Sequence, residues 1–96
     1  MQVLERTLER RCVAYAKDRG WRSKKMVAAF DNHWPDRLFV GPRGAGTPIL
    51  FIEFKRQGQK ATEIQERVLR DLRERGQVAL VVTSFEQFKD IIDEAT

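Results

Sequence analysis

Two acidic residues and a lysine lie beside stretches of the sequence that are otherwise apolar. Asp36 follows a proline at the start of one such stretch, and Glu53 and Lys55 lie two residues apart at the end of another. Because side chains alternate between the faces of a strand, Glu53 and Lys55 are predicted to share a face. The turn-forming residues 41–48 would fold the first strand back and bring Asp36 to Glu53. Two carboxylates beside an ammonium indicate a divalent metal site or, more simply, a salt bridge between Glu53 and Lys55.

The composition is that of a small globular protein. A length of 96 residues, with 42% hydrophobic and 33% charged side chains, suits one α/β domain over residues 1–96. No apolar run approaches the roughly 20 residues that span a bilayer, and the N-terminus lacks a signal-peptide core, so we expect a cytoplasmic protein without membrane contact. Cys12, the single cysteine, is expected to be a small buried residue rather than a nucleophile. The net charge of +4 fits a polyanionic partner as well as an ordinary soluble domain.

An amphipathic helix is predicted over residues 3–19, with Gly20 ending it. Its apolar stripe consists of Leu4, Leu8, Cys12 and Tyr15. At about 100° per residue, Glu5 lies roughly 65° from the centre of this stripe and Glu9 roughly 105°. Glu5 is therefore predicted to be nearer the buried boundary, with a solvated helix face as the alternative for both glutamates.

Three strands are predicted to follow this helix. The first covers residues 21–30, in which Lys24 and Lys25 are candidates either for phosphate contacts or for keeping a sheet edge soluble. The second covers residues 36–40. The third, residues 49–54, is almost continuously apolar, so we expect it to be covered on both faces and central in the sheet.

A helix, a strand and a last helix are predicted after the sheet's third strand. The first of these helices begins at residues 61–62 and ends at Gly76. Its inward residues are predicted to be Ile64, Val68, Leu69 and Leu72. Gln65 adjoins this face, where its amide is placed to orient a water or hold the lysine. The β-branched run at residues 78–83 predicts a parallel crossover, and Ser84 is the expected N-cap of the last helix.

The order of these elements and motifs resembles the PD-(D/E)xK nuclease superfamily and, more closely, the VRR-NUC family. The resemblance covers nearly the whole chain: a glutamate ahead of a glycine, Pro-Asp-Arg opening a strand, Glu-x-Lys on the next strand, and a glutamine on the following helix. It implies a restriction-endonuclease-like αβββαβ core, in which helices flank a central mixed sheet, followed by a C-terminal helix.

The resemblance also implies residue roles at matching positions. Asp36 and Glu53 would bind Mg²⁺ or Mn²⁺ together with the backbone carbonyl of Phe54, and Lys55 would assist the attacking water. Gln65 matches the supporting residue on the helix.

Glu5 matches the family's N-terminal acidic residue, which is a catalytic residue and a possible further metal ligand, and Glu9 is its rival. One departure concerns the loop before the Pro-Asp pair, where family members often carry a glycine and this chain has His33 and Trp34. His33 is either a metal ligand or proton carrier or, more simply, a loop residue.

The family likeness implies a structure-specific endonuclease acting in DNA repair. Single-domain relatives of this size resemble enzymes that cleave Holliday junctions as homodimers, so branched duplex DNA and a second copy of the chain are the expected partners. Lys24, Lys25 and Arg37 are the expected DNA contacts. The alternative is a catalytically silent nucleic-acid-binding or assembly module that retains the fold.

Overall fold

The computed structural model describes residues 5–26 and 33–96, and everything below concerns those residues. They form three helices and four strands. In chain order these are α1 (Glu5–Asp18), β1 (Arg22–Lys25), β2 (Arg37–Val40), β3 (Leu50–Phe54), α2 (Glu63–Glu74), β4 (Val78–Val82) and α3 (Phe85–Ala95). No helix in the described part of the chain is long and apolar enough to cross a membrane.

The four strands form one mixed sheet in the order β1-β2-β3-β4. β1 pairs antiparallel with β2, and β2 antiparallel with β3, as expected for strands joined by turns. β3 and β4 are parallel, with α2 as the crossover between them. The predicted restriction-endonuclease-like arrangement, including the central position of β3 and the C-terminal helix, is therefore confirmed.

Helices cover both faces of the sheet. α1 and α3 lie on one face, over a core that includes Leu8, Cys12, Ala16, Phe39, Leu50, Ile52, Phe54, Val82, Phe88 and Ile92. α2 lies on the other face, where Leu69 and Leu72 pack with Ala79 and Phe51. Because β3 alternates between these layers, Ile52 and Phe54 face α1 and α3, whereas Phe51 faces α2. By the same alternation Glu53 lies on the α2 face.

Side-chain caps determine where two helices begin. Thr62 precedes α2, and its Oγ1 accepts a hydrogen bond from Gln65 N while Gln65 Oε1 accepts one from Thr62 N. This reciprocal pair is a capping box. Ser84 caps α3 by accepting from the backbone N–H of Gln87, which confirms its predicted role.

Three sequence expectations about the elements were wrong in detail. The first strand is shorter than residues 21–30, since β1 covers only Arg22–Lys25 and residues 27–30 lie outside the described part. Ile64 is 48% exposed, because α2 meets the sheet through the later Leu69 and Leu72 and its first turn projects beyond it. In α1 the buried stripe includes Glu9 and Ala16, and Tyr15 is only partly buried. Leu4 lies outside the described residues.

Candidate active site

The register of the sheet brings Asp36 opposite Glu53. Leu38 pairs with Phe51 and Arg37 with Ile52, so one further step along the antiparallel pair places residue 36 beside residue 53. Directly opposed residues project from the same face of a sheet. Asp36 Oδ2 accepts a hydrogen bond from the backbone N–H of Phe54 at 2.8 Å, which ties the Asp36 side chain to the end of β3. The two carboxylates therefore lie together at one end of β2 and β3, on the α2 face.

Glu53 is held by a cation and an amide on the same oxygen. Lys55 Nζ lies 3.5 Å from Glu53 Oε2, and Gln65 Nε2 donates to that atom at 3.2 Å. Glu53 is only 3% exposed, and the Lys55 side chain is 15% exposed. Glu53 Oε1 is not used in either of these contacts. The predicted neighbours Glu53, Lys55 and Gln65 are thus brought together.

The capping box of α2 orients the Gln65 amide. Gln65 Oε1 accepts from Thr62 N, so the amide nitrogen is left to face Glu53. Sequence reasoning did not place Thr62 in this arrangement. The signal was available, because a threonine three residues before a glutamine at a helix start is the spacing of a capping box.

Burial makes both carboxylates harder to ionise. It raises the pKa of Glu53 from 4.5 to about 7, and the charge of Asp36 adds to the effect while Lys55 opposes it. Burial also raises the pKa of Asp36, against the lowering effect of the hydrogen bond from Phe54. Two acids whose charged forms are disfavoured by desolvation and by the charges of nearby carboxylates are typical of functional sites more than of structural ion pairs.

Glu9, not Glu5, is the buried glutamate of α1. Glu9 Oε2 accepts a hydrogen bond from Arg37 Nε and lies 3.8 Å from Lys25 Nζ, and Glu9 is 9% exposed. The expectation that Glu5 would be nearer the buried boundary was wrong, because Glu5 begins the helix, where less of the fold covers it. The charge of Glu5 nevertheless raises the pKa of both Asp36 and Glu53, whereas Glu9 acts on Asp36.

The three basic residues expected to contact DNA lie in two different environments. Lys25 and Arg37 lie opposite each other in the register of β1 and β2, and each side chain forms an ion pair with Glu9. Arg37 also donates to Ser23 Oγ at 3.4 Å. Lys24 pairs with Leu38, which places it on the same face of the sheet as Asp36 and Glu53. It is exposed and has no ion pair within the described residues.

The donors at this site suit a hard divalent cation. Asp36 and Glu53 supply carboxylate oxygens, the ligands that Mg²⁺ and Mn²⁺ prefer. In an extended strand the C=O of a residue points to the same neighbouring strand as its N–H, so the Phe54 carbonyl is directed toward the Asp36 side. Across residues 5–26 and 33–96 no three His, Cys, Asp or Glu side chains are grouped for metal binding. The roles of Glu5 as a possible further metal ligand and of His33 as a metal ligand or proton carrier therefore stay predictions.

Comparison with known proteins identifies similar folds. No family model matches the chain, and no curated protein matches its sequence. A solved structure described as a "VRR_NUC domain" superposes with a TM-score of 0.82 and 27% sequence identity, over 96% of this chain and 97% of the other. A second, described as a "VRR_NUC domain protein", has a TM-score of 0.77 and 19% identity over 99% of this chain and 89% of its own; it supports the fold alone.

Proposed function

Since the chain belongs to the VRR-NUC family and has its nuclease-domain fold, we propose that it is a metal-dependent DNA endonuclease that hydrolyses phosphodiester bonds. The observation that carries the proposal is the joint position of Asp36, Glu53, Lys55 and Gln65. Their carboxylate, ammonium and amide groups meet at one end of the sheet.

Each of these residues has a distinct proposed role. Asp36 and Glu53, with the Phe54 carbonyl, would hold Mg²⁺ or Mn²⁺. Such an ion, when bound, neutralises charge on a phosphodiester and lowers the pKa of water. Lys55 places an ammonium beside Glu53, where it favours the negative charge that develops on oxygen during hydrolysis. Gln65 fixes the orientation of Glu53 through its amide nitrogen.

Glu5 is the proposed N-terminal acidic residue of the site. No ion pair or side-chain hydrogen bond ties Glu5 to another described residue, whereas Glu9 is held by Arg37 and Lys25. The charge of Glu5 also acts on both central carboxylates. Glu9 is accordingly proposed to position Arg37 rather than to take part in hydrolysis.

The proposed substrate is duplex DNA with a branch, such as a Holliday junction, and the proposed active form is a homodimer. A chain of 96 residues covers a short length of duplex, and a second copy related by twofold symmetry would widen the footprint and present two sites to two strands. Lys24 is the best placed of the expected DNA contacts, since it shares a face with the carboxylates. We further propose a cytoplasmic role in DNA repair.

The test compares cleavage of a four-way junction and a linear duplex in Mg²⁺, Mn²⁺ or EDTA. Asp36→Ala, Glu53→Ala and Lys55→Ala should each reduce the cleavage rate at least about 100-fold, the order expected when one group that stabilises transition-state charge is removed. Glu63→Ala is the matched control, because Glu63 is an exposed carboxylate paired only with Arg67. Its rate should equal that of the wild type.

Three results would each reject a part of this proposal. Cleavage that persists in EDTA and in all three variants would exclude the Asp36–Glu53 site. Tight junction binding by the wild type without cleavage in either metal would instead favour the silent binding module. Analytical ultracentrifugation at assay concentrations tests the homodimer, which a purely monomeric, active protein would contradict.

A further inference from the structure

A pocket lies at the end of β2 opposite to the carboxylates. It has a volume of about 460 Å³ and lies where α1 ends, β1 begins and β2 ends. Trp21 and Val40 form the apolar wall of the pocket. The other lining side chains are those of three basic residues, Lys17, Arg22 and Arg43. No acidic side chain lines it. The pocket therefore combines an apolar wall with positively charged side chains alone.

The three cations have no counter-ion among residues 5–26 and 33–96. Elsewhere in the described chain basic side chains such as Arg67 and Arg75 form ion pairs with nearby acids. Lys17, Arg22 and Arg43 form none with any described residue. Clustered like charges without partners raise the local potential and favour an anionic ligand.

Trp21 adds a further unsatisfied group to the wall. Its side chain is 4% exposed, and its indole Nε1 is buried without a hydrogen-bond partner within the described residues. Buried donors are nearly always paired in folded proteins. Trp21 therefore brings to the lining a donor for which the described residues provide no acceptor.

The backbone at the pocket is closely constrained. Gly20 adopts φ 85°, a left-handed conformation that ends α1 and turns the chain into Trp21. At Gly41 a side chain would collide with Thr47, so the loop after β2 is held close to this strand end. The short segments that connect Lys17 to Arg22 and Val40 to Arg43 are therefore constrained.

The register connects this pocket to the carboxylate site. Arg22 pairs with Val40 and Lys24 with Leu38, so these residues project from the same face as Asp36. α2 covers this face at β4 but contacts neither β1 nor β2. Among the described residues, the part of this face that α2 leaves uncovered therefore extends from Asp36 past Lys24 to Arg22 at the pocket.

We propose that this pocket binds a backbone phosphate of the nucleic-acid strand whose scissile bond lies at the carboxylates. The identification of the ligand rests on the proposed nuclease function. Four residues of strand separate position 36 from position 40, about 13 Å at the usual rise, which corresponds to about four base-pair steps of duplex. The pocket thus anchors the substrate away from the chemistry, and it does so without reading sequence.

The primary test measures DNA binding in EDTA, where no cleavage occurs. The variant is Lys17→Gln/Arg22→Gln/Arg43→Gln, and the matched control is Arg67→Gln/Arg70→Gln/Arg75→Gln on α2, which removes the same charge elsewhere. Dissociation constants for a short duplex are measured from 50 to 200 mM salt. The pocket variant should bind at least about ten-fold more weakly, and its slope of log K against log salt should fall by about 2 to 3 relative to wild type. The control should change the slope by less than about 1.

The outcomes separate this inference from the proposed activity. Equal weakening in the pocket variant and the control would show that net charge alone matters and would overturn the phosphate site. The nuclease proposal fails in a different measurement, namely when the wild type does not cleave DNA with Mg²⁺ or Mn²⁺. A wild type that binds no DNA at 50 mM salt would overturn the pocket as a strand anchor.

A second measurement distinguishes a DNA phosphate from a free one. In a Trp34→Phe background Trp21 is the only tryptophan and reports on the pocket by its fluorescence. Titration with the duplex should change its emission, and the pocket substitutions should abolish the change. A response to inorganic phosphate or a mononucleotide at lower concentration than to duplex phosphate would overturn the assignment to DNA. Circular dichroism should show the same fold for all variants, because the replaced side chains are exposed.

Discussion

Replacement of Glu53 by glutamine is expected to stabilise the metal-free protein at alkaline pH, although it removes a residue of the proposed site. Burial, reinforced by Asp36, raises the pKa of Glu53 from 4.5 to about 7. Below pH 4.5 the carboxyl is protonated in both the folded and the unfolded chain, so its titration has no effect. Between pH 4.5 and about 7 the unfolded chain releases its proton more readily, and the stability of the fold decreases. Above that range the decrease is complete.

The size of the effect follows from the pKa difference. One pKa unit corresponds to about 1.4 kcal/mol, so the rise from 4.5 to about 7 gives a ceiling of about 3 kcal/mol. Relaxation of the site and entry of water reduce such values, and we expect about 1 to 3 kcal/mol. Glutamine retains a carbonyl oxygen in the place of Oε2, so the contacts to Gln65 and Lys55 persist.

Urea denaturation in EDTA at pH 4.5 and pH 8.5 measures this difference. The free energy of unfolding of Glu53→Gln should exceed that of the wild type by more at pH 8.5 than at pH 4.5, by the amount given above. Glu63→Gln is the control, and as the loss of an exposed carboxylate it should change stability by less than about 0.5 kcal/mol at either pH. A difference between Glu53→Gln and wild type that does not change with pH would refute the reasoning, as would a wild type that is the more stable protein at pH 8.5.

Four further outcomes are expected. Adding Mg²⁺ at pH 8.5 should raise the midpoint of thermal unfolding of the wild type and leave Glu53→Gln unchanged; equal shifts would mean that the ion binds elsewhere. Gln65→Ala should reduce the cleavage rate at least about ten-fold and stability by only about 1 kcal/mol, since one cap contact is lost, and an unchanged rate would remove Gln65 from the site. Glu9→Gln should destabilise the fold by about 1 to 3 kcal/mol in urea, because Arg37 loses its buried counter-ion; a neutral effect would contradict that role. Burial raises the pKa of Cys12 to about 12, so iodoacetamide at pH 8 should label Cys12 only after unfolding, and fast labelling of the folded protein would show that the thiol is accessible.

The position of the carboxylate pair was predictable because it depends on two local rules. Alternation along a strand assigned Glu53 a face, and a turn-rich connection over residues 41–48 implied antiparallel pairing with the strand after Asp36. The observed register places the two residues opposite each other, and Phe54 N–H donates to Asp36. The parallel crossover through α2 was predictable for a similar reason, since a helix is the usual connection between parallel neighbouring strands.

The contacts that depend on tertiary packing were not predictable. Helical angles placed both Glu5 and Glu9 near a boundary, but the position of Arg37 under α1 decided which glutamate is buried. Ile64 matched the apolar period of α2, yet the first turn of that helix extends past the sheet. Periodicity describes one helix at a time, whereas burial depends on how far its neighbours extend.

Stability and the proposed chemistry oppose each other at residue 53, and the structure shows how the fold tolerates this. Ionised Glu53 is disfavoured by burial and by Asp36, so the metal-free site stores unfavourable free energy that a bound cation would relieve. Gln65 keeps the carboxylate in place meanwhile, and its own orientation is set by the Thr62 cap. A glutamate at position 65 would accept from Thr62 equally well but would present a negative charge to Glu53. The amide is therefore the group that serves the cap and the carboxylate together.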